Sequence, residues 1–238
     1  METRTLLLSF MTLVIIGVVV IVIYELVIGG AFSGGGGNPI TPQKTSVLLI
    51  GPLHSGQDSI TVNTPLPPSM NEEDGIEFSF ASWILIKDYG YGTSETPVIY
   101  KNGPGCPTVS FNVHSNTLFI NQQTYKGSET IRIRNMPAEK LFHLAVCVNQ
   151  TALDVYVNGL LHTHKSLDSL PLQNPGPVLV GPNGGWKGKI GSFIYYNYAL
   201  SPGEIRALAL TKAIRDPNDL PPNPPYFDTS WWIGRLSK

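Results

Sequence analysis

The stretch that decides the fold is LFHLAVCVNQTALDVYVNG, residues 141–159. It holds two apolar runs of strand length, and the second run ends in Asn158-Gly159, after which an apolar stretch resumes. Asn-Gly between two such runs is a strong hairpin signal, because both central positions of a type I′ turn need a positive φ. The stretch therefore predicts consecutive antiparallel strands.

Similar short apolar runs, separated by turns, continue on both sides of this stretch. About a dozen of them have strand length, and no helical pattern lies between them. Apolar and polar residues alternate along several runs, with Ile76, Phe78 and Phe80 on one face of one run and Ile131 and Ile133 on one face of another. The pattern predicts an all-β fold, an antiparallel sandwich of two sheets.

One helix is predicted after the last strand, over residues 201–214. Ser201 is a good N-cap, Pro202 suits the first helical position, and Glu204 completes an S-x-x-E capping box.

An apolar segment near the N-terminus runs from Leu6 to Tyr24, 19 residues without a charge. That length is enough to cross about 30 Å of hydrocarbon as a helix. A cleaved signal peptide is the alternative, but its apolar region runs to about 15 residues, so we favour a retained membrane anchor. Arg4 precedes the segment and the next basic residue is Lys44, so the positive-inside rule places the N-terminus in the cytosol and the body on the opposite side.

The sequence therefore divides into four parts. Residues 1–28 are the predicted transmembrane anchor, 29–45 a Gly/Pro linker, 46–214 the β-sandwich, and 215–238 an extended arm rich in Pro and Trp. An anchored chain of this kind has the lipid bilayer as one partner.

Charged residues make up 14% of the chain, and the formal net charge is −1. Phosphate recognition needs a clustered basic face, and the sequence has no run of Lys and Arg that would supply one. The composition therefore argues against a nucleic-acid partner. Two cysteines, Cys106 and Cys147, are too few for a disulfide framework, and whether they pair with each other stays open.

The order of several motifs resembles the laminin-G-like, concanavalin A-type lectin and glucanase family. The matching segments are FSFASWILI, IYKNG, LFHLAVCVNQTALDVYVNG and VLVGPNGGWKGKIGSFIYYNYALSPGEI. The resemblance implies a jelly-roll sandwich that serves lectins, glycanases, adhesion modules or structural domains. Calcium-binding members use Asp side chains on a rim loop, which have no identifiable counterparts here, so no metal site and no cofactor is predicted.

Three features are candidates for binding or modification. Trp186, flanked by glycines, would stack on a sugar or a partner side chain with Asn183 as hydrogen-bond partner; the alternative is that Trp186 packs inward. Asn149 begins an Asn-Gln-Thr glycosylation sequon. His162 and His164 lie on one face of a strand, where they would need a third ligand such as His143 to hold zinc; the simpler interpretation is that this hairpin only folds.

A glycanase motif is the enzymatic alternative. Glu72, Asp74 and Glu77 match the E-x-D-x-x-E spacing of one glycanase group with this fold. In that group the motif lies within a strand, whereas Asp74-Gly75 is typical of a turn here. We therefore expect no enzymatic activity.

The arm carries Tyr226, Phe227, Trp231 and Trp232, spaced by prolines that keep the chain extended. Aromatic side chains on a pre-extended chain suit binding to a neighbouring protein, although docking on its own body is the alternative. The sequence thus predicts a non-catalytic interaction protein that docks a protein layer to a membrane. In this it resembles minor capsid proteins of membrane-containing large DNA viruses. A membrane-displayed lectin that binds glycans is the second hypothesis, and a glycoside hydrolase is the third.

Overall fold

A computed structural model describes most of the chain. The described residues are 43–70, 76–87, 96–137 and 139–211, with Met11, Ile15, Ile16 and Val18. The chain divides into two compact units, Met1–Thr41 and Pro42–Lys238. In the first unit the four described residues are helical.

The predicted anchor lies outside the described residues except at those four positions. Within the part of the chain that the structure describes, no helix is both long and apolar enough to cross a bilayer. Most of the linker 29–45 and all of the arm 215–238 also lie outside it. The anchor, the linker and the arm therefore stay predictions.

The second unit is built from β-strands. In chain order the described strands are Ser46–Ile50 (β1), His54–Ser55 (β2), Ile60–Val62 (β3), Glu77–Ile86 (β4), Val98–Asn102 (β5), Thr108–Asn112 (β6), Thr117–Thr124 (β7), Gly127–Arg134 (β8), Leu141–Asn149 (β9), Ala152–Val157 (β10), Leu160–Ser166 (β11), Val178–Val180 (β12) and Gly188–Tyr196 (β13). The helix Pro202–Leu210 (α1) follows β13.

These strands form two antiparallel sheets. The seven-stranded sheet has the order β1-β13-β4-β9-β10-β11, with β2 also paired to β13, and the six-stranded sheet has the order β3-β12-β5-β6-β7-β8. The predicted all-β sandwich is therefore confirmed. Every pairing between neighbouring strands is antiparallel.

The core lies between the two sheets and follows the predicted alternation. Phe78 and Phe80 of β4 are buried in it, and so are Ile131 and Ile133 of β8. An aromatic cluster joins the sheets: the ring of Tyr100 in the six-stranded sheet lies 5.9 Å from that of Phe80 and 4.6 Å from that of Phe193, between ring centroids.

The Asn-Gly turn forms as predicted. Asn158 has a φ of 52° and Gly159 a φ of 81°, the two positive values that a type I′ turn requires. The Asn158 side chain also ties the turn to β9, because its Oδ1 accepts a hydrogen bond from the His143 backbone N–H at 2.9 Å. The turn is thus fixed both by its backbone preference and by a cross-strand bond.

The helix α1 begins with the predicted capping box. Ser201 Oγ accepts from the Glu204 backbone N–H, and a Glu204 carboxylate oxygen accepts from the Ser201 N–H at 2.8 Å. These bonds from Ser201 hold the pKa of Glu204 below its ordinary value. The helix ends at Leu210 rather than at residue 214, because Thr211 adopts an extended conformation (φ −71°, ψ 140°). Thr is β-branched and fits a helix less well.

Candidate ligand-binding face

Part of the outer side of the seven-stranded sheet is covered by α1. Ile205 of the helix is fully buried in a cluster that holds the small side chains Ala81, Ala145 and Cys147 together with Tyr156 and Tyr196. Ser79 secures the approach to the helix, since its hydroxyl donates to the Tyr198 carbonyl and accepts from the Leu200 N–H, both at 2.9 Å. We call this side the covered face.

The outer side of the six-stranded sheet has a different composition, and we call it the open face. The side chains that point outward from its strands are Thr61, Val98, Lys101, Thr108, Ser110, Asn112, Thr117, Phe119, Asn121, Gln123, Ser128, Thr130, Arg132, Arg134 and Leu179. Most of them are half-buried or exposed, and most are polar. The open face is therefore a broad polar surface.

One row of the open face crosses four strands. Lys101 of β5 pairs with Thr108 of β6, which pairs with Asn121 of β7, which pairs with Thr130 of β8. At the usual spacing between strands, this row is about 14 Å long. The Thr130 hydroxyl donates to Asn121 Oδ1 at 2.5 Å, so these two side chains of the row are linked across β7 and β8.

The next row contains the aromatic group of this face. Phe119 of β7 pairs with Arg132 of β8, and the Arg132 guanidinium carbon lies 5.8 Å from the centroid of the Phe119 ring. Such a cation–π contact holds the guanidinium against the sheet while leaving its N–H groups available to a ligand.

The charge of the open face is entirely positive. Lys101, Arg132 and Arg134 point outward, and no carboxylate does so from the described strands of this sheet. The acidic residue of β8, Glu129, already has partners at the sheet edge: its carboxylate lies 3.1 Å from Lys165 Nζ and accepts from the Asp168 N–H at 2.8 Å. An approaching anion would therefore meet cations on this face.

Trp186 packs inward. Its side chain is 3% exposed and its indole N–H donates to the Leu85 carbonyl at 3.0 Å. A Cβ at Gly56 would lie 2.5 Å from the ring, so the neighbouring glycine leaves room for it. The position of Trp186 therefore agrees with the second interpretation of the sequence, in which the side chain packs inward. The ring offers no stacking face to a ligand. Asn183 is exposed at a φ of 57°, and its role stays a prediction.

The histidines do not gather into one site. His162 Nδ1 lies 2.9 Å from Thr163 Oγ1, and His164 Nδ1 lies 2.6 Å from Asp154 Oδ1. His143 is buried instead against Trp83, with 5.4 Å between the ring centroids, and burial lowers its pKa to about 4. Among the described residues, no group of three His, Cys, Asp or Glu side chains is placed to hold a metal.

The two thiols are free and buried. Burial raises the pKa of Cys106 to about 11 and that of Cys147 to about 12. Both thiols therefore stay protonated near neutral pH, and the thiolate is the reactive form.

The glycanase motif is only partly described. Glu77 begins β4 beside a surface cavity of about 170 Å³, where the Lys44 ammonium lies 4.7 Å from the centroid of the Tyr198 ring. Glu72 and Asp74 lie outside the described residues. Glu77 is thus the described member of that predicted carboxylate set.

The remaining predicted sites lie at the surface or outside the described residues. Asn149 is exposed at the end of β9, in the turn to β10. The arm residues Tyr226, Phe227, Trp231 and Trp232 are not among the described residues. Glycosylation at Asn149 and docking through the arm stay predictions.

Solved structures share this fold. The receptor binding domain of botulinum neurotoxin mosaic serotype C/D is 13% identical, with a TM-score of 0.52 over 70% of this chain and 45% of that one. The receptor binding domain of botulinum neurotoxin D is 14% identical, with a TM-score of 0.51 over 71% of this chain and 48% of that one. The chain thus spans less than half the length of either structure. No curated protein matches the sequence.

A family model supplies the assignment. The model of a laminin G-type family, described as the concanavalin A-like lectin/glucanases superfamily, matches residues 54–206 of this chain. That range begins at β2, ends within α1 and covers well over half of the 238 residues. The chain belongs to the concanavalin A-like lectin/glucanases superfamily.

Proposed function

We propose that this protein is a non-catalytic binding module that is held at a membrane and docks a protein layer to it. The observation that carries the proposal is the contrast between the outer faces, because one is partly covered by α1 and the other presents a polar, cationic surface. The structural relatives are named as receptor binding domains, which agrees with binding as the role of such a sandwich.

Three side chains of types that catalysis often uses have pKa values that do not suit it. The thiols of Cys106 and Cys147 have raised pKa values, and the imidazole of His143 is buried and neutral. Catalytic groups need a pKa matched to their task, near the working pH for an acid or base. These properties favour binding over catalysis.

The membrane part of the proposal rests on the sequence. The segment from Leu6 to Tyr24 is long and uncharged, and it leads into a flexible glycine linker. At the other end, the aromatic arm is suited to a neighbouring protein, which would make the molecule a link between a membrane and a protein shell, for example in a virion.

Glycan binding is a second candidate, favoured by the open face rather than by Trp186. Hydroxyl and amide side chains in register beside one aromatic ring provide hydrogen bonds and a stacking surface for a sugar.

Cross-linking mass spectrometry on the protein in its native membrane tests the docking role. With an amine-reactive reagent we expect reproducible links from Lys238 to one other protein. Deletion of residues 221–238 should remove association with that protein while the sandwich keeps its thermal midpoint. Links from Lys238 only to its own chain would overturn the docking role.

A further inference from the structure

We propose that the open face binds an acidic polysaccharide, a polymer whose sugar units carry sulfate or carboxylate groups. In this proposal Lys101, Arg132 and Arg134 contact the anionic groups and Phe119 packs against a sugar ring. The inference rests on the proposed role as a binding module, but it needs neither the membrane anchor nor the arm.

The first support is the single sign of charge on the open face of a nearly neutral chain. The formal net charge is −1, yet the strands of the open face present three cations outward and no carboxylate. On the side of the seven-stranded sheet that carries α1, by contrast, the carboxylates of Glu77 and Glu204 accompany Lys44 and Arg206, so charges of both signs are present there. Charge complementarity therefore favours an anionic ligand on the open face.

The second support is the spacing of the cations. Arg132 and Arg134 are two residues apart on one strand, so they lie on the same side about 7 Å apart. Lys101 lies three strands away, in the row of Thr130 rather than in that of either arginine, so it is more than about 14 Å from both. A single small anion needs donors that converge on one point, whereas these cations spread across the face. The spacing fits a polymer with a repeating charge.

The third support is what lies between the cations. Thr108, Asn121 and Thr130 present hydroxyl and amide groups in a row, and these match a ligand rich in hydroxyls. The core of a protein–protein interface needs large apolar anchors, while a platform for single-stranded nucleic acid stacks successive bases on several aromatic rings. Phe119 is the aromatic side chain that points outward from the described strands of this sheet.

Binding to dextran sulfate, with uncharged dextran of the same length as the matched control, tests the ligand class. The full chain in detergent micelles is passed over each immobilised polymer. We expect binding to dextran sulfate that weakens as salt is raised, and at least tenfold weaker binding to dextran, because an uncharged polymer forms no contacts with the cations.

Two further polyanions separate the other ligand classes. Equal or tighter binding to poly-glutamate would point to an acidic protein, and equal or tighter binding to single-stranded oligothymidylate would point to a nucleic acid. Either result would overturn the assignment to a polysaccharide.

Paired variants test the site. Arg132→Gln with Arg134→Gln should weaken dextran sulfate binding by about tenfold or more. Lys44→Gln with Arg206→Gln removes the same charge from exposed positions on the other side, and should change binding by less than about twofold. Equal losses in the two pairs would mean that only net charge matters and would overturn the open face as the site.

Phe119→Leu tests the sugar contact separately. This variant keeps all charges and an apolar side chain, and we expect a loss of about threefold to tenfold. Unchanged binding would remove Phe119 from the site. The far-ultraviolet circular dichroism and the thermal midpoint of each variant establish that it is folded. Dextran sulfate binding without links from Lys238 would overturn the docking role alone, whereas links without binding would overturn this inference alone.

Discussion

On both outer faces of the sandwich, outward residues alternate with core residues along each strand, but the two faces differ in what they contact. On the covered face, Ala81, Ala145 and Cys147 leave room for a helix, which buries Ile205 and covers part of the sheet. On the open face, Arg132 and Arg134 occupy the outward positions of β8 while Ile131 and Ile133 fill the core. The inward residues thus define the sandwich, and the outward residues distinguish a packing surface from a binding surface.

The largest effect should come from the covered face. Ile205→Ala removes the buried contact between α1 and the sheet, and we expect a loss of about 2–4 kcal/mol in the free energy of unfolding, measured in urea. Leu210→Ala is the matched control on the same helix, because Leu210 is 79% exposed, and it should cost less than about 0.5 kcal/mol. Equal effects of the two variants would mean that α1 is not packed on the sheet.

A pH-dependent effect should also arise on the side of the covered face. Burial lowers the pKa of His143 from 6.5 to about 4 in the folded protein. The unfolded chain therefore binds the proton first as the pH falls, and stability decreases between pH 6.5 and about 4 while it is unaffected above that window.

His143→Phe keeps a ring against Trp83 and removes this titration. Compared with the wild type, the variant should lose about 2–3 kcal/mol less between pH 7 and pH 4.5, by urea unfolding at each pH. The same pH dependence in both proteins would show that His143 is not buried in its neutral form.

A smaller effect is expected at the N-terminus of α1. Ser201→Ala removes the hydroxyl that accepts from the Glu204 N–H, at a cost of about 1 kcal/mol in the free energy of unfolding. Ser128→Ala on the open face is the matched control, and because Ser128 is exposed, its loss should be within about 0.5 kcal/mol. A loss at Ser128 as large as at Ser201 would contradict the separate roles of the two faces.

The smallest effect on stability should follow changes to the open face itself. Arg132→Gln with Arg134→Gln should shift the free energy of unfolding by less than about 0.5 kcal/mol, because both side chains are exposed. A loss above about 2 kcal/mol would mean that these cations serve the fold rather than a ligand.

Local patterns made much of the fold predictable. The alternation along β4 and β8, the positive φ values at Asn158-Gly159 and the capping box at Ser201 each depend on residues that are close in sequence. The end of α1 is predicted less accurately. The apolar pattern of the sequence continues past Leu210, whereas the backbone becomes extended at Thr211.

The candidate site was much harder to predict. Arg132 and Arg134 could be placed on the outside of a strand, but only the pairing of β5 through β8 sets them on the same face as Lys101. The three cations do not form a linear basic run, so the sequence alone does not show that they share a face. Trp186 was ambiguous for a related reason: the glycines beside it fit an exposed rim as well as a buried ring.

Hydrogen–deuterium exchange of the full chain, with and without dextran sulfate, tests the central claim most directly. The account predicts that dextran sulfate slows exchange in peptides covering β5 to β8, residues 98–134, and leaves α1 and β9 to β10 unchanged. Slower exchange in α1 with no change in β5 to β8 would contradict it, because the ligand would then bind the face on which the helix packs.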